Sequence, residues 1–193
     1  FRCAAGVTEH PLTLRYEPNA SDERFAEEFL AANVPPVEGP LLFLQAGASQ
    51  AKRQWAPKKF AALAKQLIEQ LHAKVVLIGA KSEQPIIDEI LKHYTHPRFV
   101  SALGKTNFGE LAALLRRGDL LITGDTGPMH LSVSVGTPVV SLFLASALCY
   151  ETGPYSVGNF VMQPQVSCIP CNPKYPCANA ECHDQITPEM VVQ

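Results

Sequence analysis

The hexad Asp125-Thr126-Gly127-Pro128-Met129-His130 combines residue types that could hold a phosphorylated sugar. It follows an apolar stretch that reads as a strand and opens a stretch that reads as a helix. Asp125 stands at the strand exit, where its carboxylate can accept hydrogen bonds from hydroxyls. Thr126 can cap the helix and Gly127 allows close approach of a ligand to the backbone. Pro128 suits a first turn, since its missing N–H would be unpaired there. The free amides and partial positive charge of such a helix start favour phosphate. His130, in the first turn, could donate to a phosphate or a sugar hydroxyl. The same six residues also fit an ordinary capped helix in which His130 merely packs.

Three further polar clusters follow apolar runs. Ala46-Gly47-Ala48-Ser49-Gln50-Ala51-Lys52-Arg53-Gln54-Trp55 puts a hydroxyl and two cations on a small-residue loop. The spacing is not that of a P-loop, and Trp55 reads as core. Gly79-Ala80-Lys81-Ser82-Glu83 places a carboxylate where acidic residues accept from ribose hydroxyls in nucleotide folds. A helix start favours such a charge for its own sake as well. Gly104-Lys105-Thr106 is the remaining cluster, with Lys105 read as a solvated cation.

Four of the six cysteines crowd the end of the chain: Cys168, Cys171, Cys177 and Cys182, with His183 adjacent. Four thiols in a compact loop suit a tetrahedral structural zinc that would staple a Pro-rich tail. Free thiols packed in a loop, or a disulfide pair, are the alternatives. A redox role for Cys168-x-x-Cys171 lacks the strand-to-helix setting such motifs have.

The elements that must position these groups follow from periodicity. Short apolar runs at 41–44, 75–78, 99–100, 120–123 and 139–144 read as strands without alternation, the mark of a parallel sheet covered on both faces. Between them lie helical patterns. Phe60, Leu63, Ala64, Leu67, Ile68 and Leu71 form one stripe over 57–71. Ile86, Ile87, Ile90 and Leu91 mark a second helix, Leu111, Leu114 and Leu115 a third, and 126–135 a fourth. Repeated strand–helix alternation predicts an α/β fold with a Rossmann-like, doubly wound parallel sheet. The four polar clusters then share the rim at the strands' carboxyl ends, where such sheets bind ligands. Upstream, Leu12, Leu14 and Tyr16 alternate as a short edge strand would. A helix then starts with Ser21 or Asp22 as its cap and turns Phe25, Phe29 and Leu30 inward. At the far end, Thr187 reads as the cap of a short helix over 187–192. The expected organisation is an interdomain segment over 1–38, a nucleotide-sugar-binding domain over 39–165 and a Cys-rich tail over 166–193.

Composition narrows the function classes. The 193 residues are 47% hydrophobic and 18% charged, with a formal net charge of -2. No Lys/Arg stripe suggests nucleic acid. The longest apolar run, near 133–148, is broken by Ser, Gly, Thr and Pro and is no membrane span. The chain opens Phe1-Arg2-Cys3 without an initiator Met, as a fragment would.

These segments together resemble glycosyltransferase family 9, the lipopolysaccharide heptosyltransferase family. The resemblance rests on Gln45-Ala46-Gly47-Ala48-Ser49, Lys52-Arg53-Gln54-Trp55, Leu103-Gly104-Lys105-Thr106, the hexad with Leu131, and Gly136-Thr137-Pro138-Val139-Val140. The tail cysteines and Ile186-Thr187-Pro188-Glu189 match too. It implies one half of a GT-B enzyme, the carboxyl-terminal donor-binding half, facing a domain that supplies the catalytic Asp and the glycolipid acceptor. It implies inverting transfer of a sugar from an ADP-heptose-like donor in the cytoplasm, peripheral to the inner membrane face, with no cofactor for catalysis. By the same resemblance Ser49 and Arg53 or Lys52 contact the donor phosphates, Glu83 holds the ribose and Thr106 lies near the base. Asp125 binds sugar hydroxyls, while the amides of Thr126 and Gly127, with His130, hold the diphosphate. Two departures stand out: the family usually has Lys at position 53, and it has Gly-Pro-Thr where this chain has Leu144-Ala145-Ser146. A non-catalytic nucleotide- or metal-binding module, or another GT-B-like nucleotide-sugar enzyme such as an epimerase, are the competing readings. The epimerase should carry its own catalytic carboxylates.

Overall fold

The computed structural model describes residues 14–156, 158–172, 177 and 180–193. Six strands form one sheet: β1 (Leu41–Gln45), β2 (Lys74–Ile78), β3 (Phe99–Ser101), β4 (Leu120–Gly124), β5 (Val139–Leu142) and β6 (Phe160–Met162). Their order is β3-β2-β1-β4-β5-β6 and every pairing is parallel. This is the Rossmann order, and its topological switch point lies between β1 and β4. The predicted fold class is what the chain adopts.

Helices cover both faces, and the strands' two-residue period sorts the core between them. Leu42, Leu44, Val75, Leu77 and Ile122 point to one side, where α2 (Pro57–Leu71) and α3 (Gln84–His93) pack. Leu41, Phe43, Val76, Ile78 and Leu121 point to the other, toward α1 (Ala20–Asn33), α4 (Phe108–Arg116) and α5 (Gly127–Ser134). Both sets are buried, which is why the strands read as unbroken apolar runs. Helix α2 spans the predicted residues, with Pro57 in its first turn. Short helices α6 (Cys149–Thr152), α7 (Glu181–Gln185) and α8 (Pro188–Val192) complete the chain.

Several expectations need correction. Leu12 lies outside the described residues, and Leu14 to Tyr16 form no strand, although the Tyr16 amide donates to Ser134 O at 2.9 Å. The cap of α1 is Asn19, not Ser21 or Asp22; Asp22 is the reciprocal partner of a capping box. Strand β5 stops at Leu142 rather than Leu144, and β6, α6 and α7 were not anticipated. Phe160 and Val161 are exposed on an edge strand of three residues, so burial leaves no pattern there to read. Thr187 precedes α8, as read from the sequence, but its side chain makes no capping bond. Among the described residues no helix is long and apolar enough to cross a membrane.

The tail is tied to this frame. Cys182 and Ile186 are buried against α2 and its neighbours. The Ile186 carbonyl accepts from Trp55 Nε1 at 3.2 Å and Lys59 Nζ at 3.0 Å, and Lys59 also donates to the His183 carbonyl.

Candidate functional site

Because every strand runs the same way, the loops after β3, β2, β1 and β4 stand side by side on one rim, in that order. They carry Thr106, Glu83, Ser49 to Arg53, and Asp125 to His130 respectively. The predicted clusters therefore do converge. Ser49 is exposed and Thr106 half-buried on this rim.

At the switch point the β1 and β4 loops meet through one ion pair. Arg53 Nη1 lies 3.0 Å from Asp125 Oδ2, with the two side chains only 22% and 12% exposed. Arg53 Nε donates to Ser146 Oγ at 2.9 Å, and the Ser146 hydroxyl faces Gln50 Oε1 at 3.4 Å. The loop after β5, where the chain departs from Gly-Pro-Thr, thus holds the guanidinium on its second side. Lys52 lies elsewhere: its carbonyl meets His183 Nε2 at 2.8 Å, and its charge acts on the Cys171 thiol.

Glu83 is half-buried; it accepts from the turn's own backbone as a helix-start carboxylate does, and it also reaches back to β1. Its Oε2 accepts from the Ala80 amide at 2.8 Å, and its Oε1 accepts from Gln45 Nε2 at 3.2 Å. A Cβ at Gly47 would fall 1.4 Å from Oε1, and one at Gly79 would fall 2.1 Å from Oε2. Those two glycines leave the space that the carboxylate fills, at the ends of β1 and β2.

Helix α5 opens at Gly127 with Thr126 in the cap position. Contrary to expectation, the Thr126 side chain does not cap the helix. It lies 2.9 Å from the buried Thr123 hydroxyl instead. The Thr126 side chain thus leaves the helix start uncapped, and among the described residues nothing lies within 4 Å of where a Gly127 Cβ would be. His130 packs against Tyr155, ring centroids 5.8 Å apart and planes tilted by 32°, and its Nδ1 is buried with no hydrogen-bond partner among the described residues. Lys105 lies on the rim with its Nζ 5.5 Å from the Phe29 ring centre, and Trp55 is core, as read from the sequence.

The residues that sequence reasoning missed are Gln45, Thr123, Ser146 and Tyr155. Gln45 and Thr123 did leave a trace, as polar side chains at the ends of otherwise apolar strands. For the tail, burial first, and then Cys168, Cys182 and Cys177, push the Cys171 thiol upward, so all four sulfurs share one electrostatic neighbourhood. Among the described residues, however, no three His, Cys, Asp or Glu side chains are grouped to hold a metal ion.

Comparison with known proteins places the chain in a family. The model of glycosyltransferase family 9 (heptosyltransferase) matches residues 3–183. The lipopolysaccharide core heptosyltransferase OpsX of Haemophilus influenzae is 30% identical over 139 residues, covering 70% of this chain and 37% of that protein. The crystal structure of a glycosyl transferase family 9 protein from Veillonella parvula superposes with a TM-score of 0.82 at 26% identity, over 98% of this chain and 54% of that one. E. coli ADP-heptose lps heptosyltransferase II superposes with a TM-score of 0.77 at 20% identity, over 98% and 54%. The chain thus spans about half, or less, of the length of the proteins it matches.

Proposed function

Since the chain belongs to glycosyltransferase family 9, the heptosyltransferase family, we propose that its crevice binds the donor of an inverting glycosyl transfer, a nucleoside-diphosphate sugar of the ADP-heptose type. In that reaction the bond from the anomeric carbon to the diphosphate oxygen breaks, and a hydroxyl of a lipopolysaccharide-type acceptor takes its place. The acceptor and the carboxylate base that removes its proton belong to the facing domain of the whole enzyme. This chain's share is to bind the donor and stabilise the charge growing on the departing diphosphate.

The observation that carries the reading is the Arg53–Asp125 pair at the switch point, beside an uncapped helix start. Arg53 offers a guanidinium to phosphate oxygens, and the amides of Thr126 and Gly127 add donors fixed in place. Asp125, released from Arg53, accepts from sugar hydroxyls. His130 reaches the diphosphate from the first turn, and Glu83 accepts from the ribose. Ser49 serves the phosphates and Thr106 the base on this reading, with Lys52, which faces the tail, as the alternative phosphate cation.

Calorimetry with ADP and an ADP-sugar tests these roles. Arg53→Ala should weaken ADP about tenfold or more, the loss of a charge-assisted hydrogen bond. An unchanged affinity would move the phosphate contact to Lys52. Asp125→Ala should cost ADP-sugar affinity but not ADP affinity; equal losses for both ligands would sink its sugar role. For the tail we propose a structural zinc on Cys168, Cys171, Cys177 and Cys182, supported by the shared neighbourhood of their sulfurs.

A further inference from the structure

Two side chains that face no ligand connect the two ends of the proposed site. Gln45 closes β1 at 3% exposure, and Thr123 lies fully buried in β4. These are the two strands that flank the switch point. A polar side chain at such depth is costly unless bonded, and both are bonded, to each other and to one site residue each. Thr123 Oγ1 lies 2.9 Å from Gln45 Oε1 and 2.9 Å from Thr126 Oγ1; Gln45 Nε2 lies 3.2 Å from Glu83 Oε1.

Donor counting gives this chain a single direction. A carboxylate oxygen accepts, so the Gln45 amide must turn its NH2 to Glu83 and its carbonyl to Thr123. Thr123 owns one hydroxyl proton, which goes to that carbonyl. Thr126 must then donate to Thr123. The row runs from Thr126 through Thr123 and Gln45 to Glu83 with every proton assigned. Two consequences follow at the surface. Glu83 is held in the slot between Gly47 and Gly79 by the amide of the buried Gln45 on one oxygen and the Ala80 N–H on the other. Thr126 has spent its proton inward, which leaves the helix amides, rather than its hydroxyl, to donate to phosphate.

We infer that Gln45 and Thr123 are positioning residues for nucleotide recognition, fixing the Glu83 carboxylate for the ribose hydroxyls and turning the Thr126 hydroxyl away from the diphosphate. The inference rests on the reading of Glu83 as the ribose acceptor.

The test is the ratio of affinities for ADP and 2′,3′-dideoxy-ADP, a quantity that a change in stability alone does not move. It is measured by calorimetry on the full-length enzyme. Glu83→Gln, Gln45→Leu and Thr123→Val should each lower the ratio, by about tenfold for Gln45→Leu, the effect of one charge-assisted hydrogen bond. Thr123→Ser, which keeps the hydroxyl, should retain the wild-type ratio. Thr123→Val is close in shape to the native residue and keeps the question open to measurement if Gln45→Leu does not fold. A wild-type ratio near one, or an unaltered ratio in Glu83→Gln, removes the ribose role of Glu83 and the inference with it. A lowered ratio in Glu83→Gln beside wild-type ratios in Gln45→Leu and Thr123→Val overturns the positioning role alone.

Discussion

Burial raises the Cys171 thiol above its ordinary range, and the sulfurs of Cys168, Cys182 and Cys177 push the same way against the charge of Lys52. The thiolate is the reactive form, so a raised thiol is mostly protonated and slow at neutral pH. Cys171 should alkylate with iodoacetamide more slowly than free cysteine, with a pH–rate midpoint above the free thiol's; mass spectrometry of the labelled peptide reads this. A midpoint at or below that of free cysteine would contradict the burial argument. If the four cysteines hold zinc, the metal binds them as thiolates and should protect them all, and elemental analysis of reduced protein should find near-stoichiometric zinc. At this scale the charged residues were legible and their pairing was not. Asp125, Arg53 and Glu83 could be picked out because carboxylates and guanidinium groups stand out after apolar runs. Nothing in the order of residues shows that Arg53 turns to Asp125 while Lys52 turns toward the tail. That choice depends on the Ser146 hydroxyl, which approaches from a loop 93 residues away.

Helices with a strong apolar stripe were legible almost to the residue, as α2 illustrates, because one face of a 3.6-residue period must be buried. Ends set by side-chain hydrogen bonds were harder. For α1 the residues Asn19, Ser21 and Asp22 can all cap, and geometry selects Asn19, whose Oδ1 accepts from the amides of Ser21 and Asp22 at 2.8 and 3.1 Å. Asp22 Oδ2 returns the bond to the Asn19 amide at 3.0 Å. Ala26 and Phe29 lock this helix into the same apolar layer as α4, so fraying it should cost global stability. Asn19→Ala should therefore lower unfolding free energy by about 1 kcal/mol. The denaturant midpoint should fall with the slope unchanged. No change in midpoint would mean that Asp22 or Ser21 takes over the cap. Edge elements escaped the reading for the opposite reason: β6 buries so little that its residues follow no period.

For the molecule as a whole, parallel strands with one common rim were foreseeable from uninterrupted apolar runs, and that rim gathers the candidate residues. The order of strands was not, since the runs are chemically alike and carry no label for their neighbours. That order decides where the crevice opens: β1 beside β4 brings residue 53 to residue 125. The tail was legible by its cysteines but not by its anchors. Trp55 reads only as core, and nothing in the order of residues marks Trp55 or Lys59 as a donor to the Ile186 carbonyl.

The Arg53–Asp125 pair also bears on how a ligand arrives. A cation already neutralised at 3.0 Å projects almost no field beyond the crevice, and the chain's net charge is slightly negative. On the proposed reading Arg53 therefore does not draw an anionic donor in from a distance, and it should add little to the dependence of the association rate on ionic strength. On the same proposed reading, recognition happens on contact, when phosphate replaces the carboxylate at Arg53 and the sugar takes up the carboxylate set free. Asp125→Asn would bare the guanidinium and turn the crevice into a plain anion trap. Stopped-flow binding of ADP should then become faster at low salt and steeply salt-dependent, whereas in the wild type the dependence stays shallow. On this view the pair keeps bare phosphates out of a site built for a phosphate that carries a sugar.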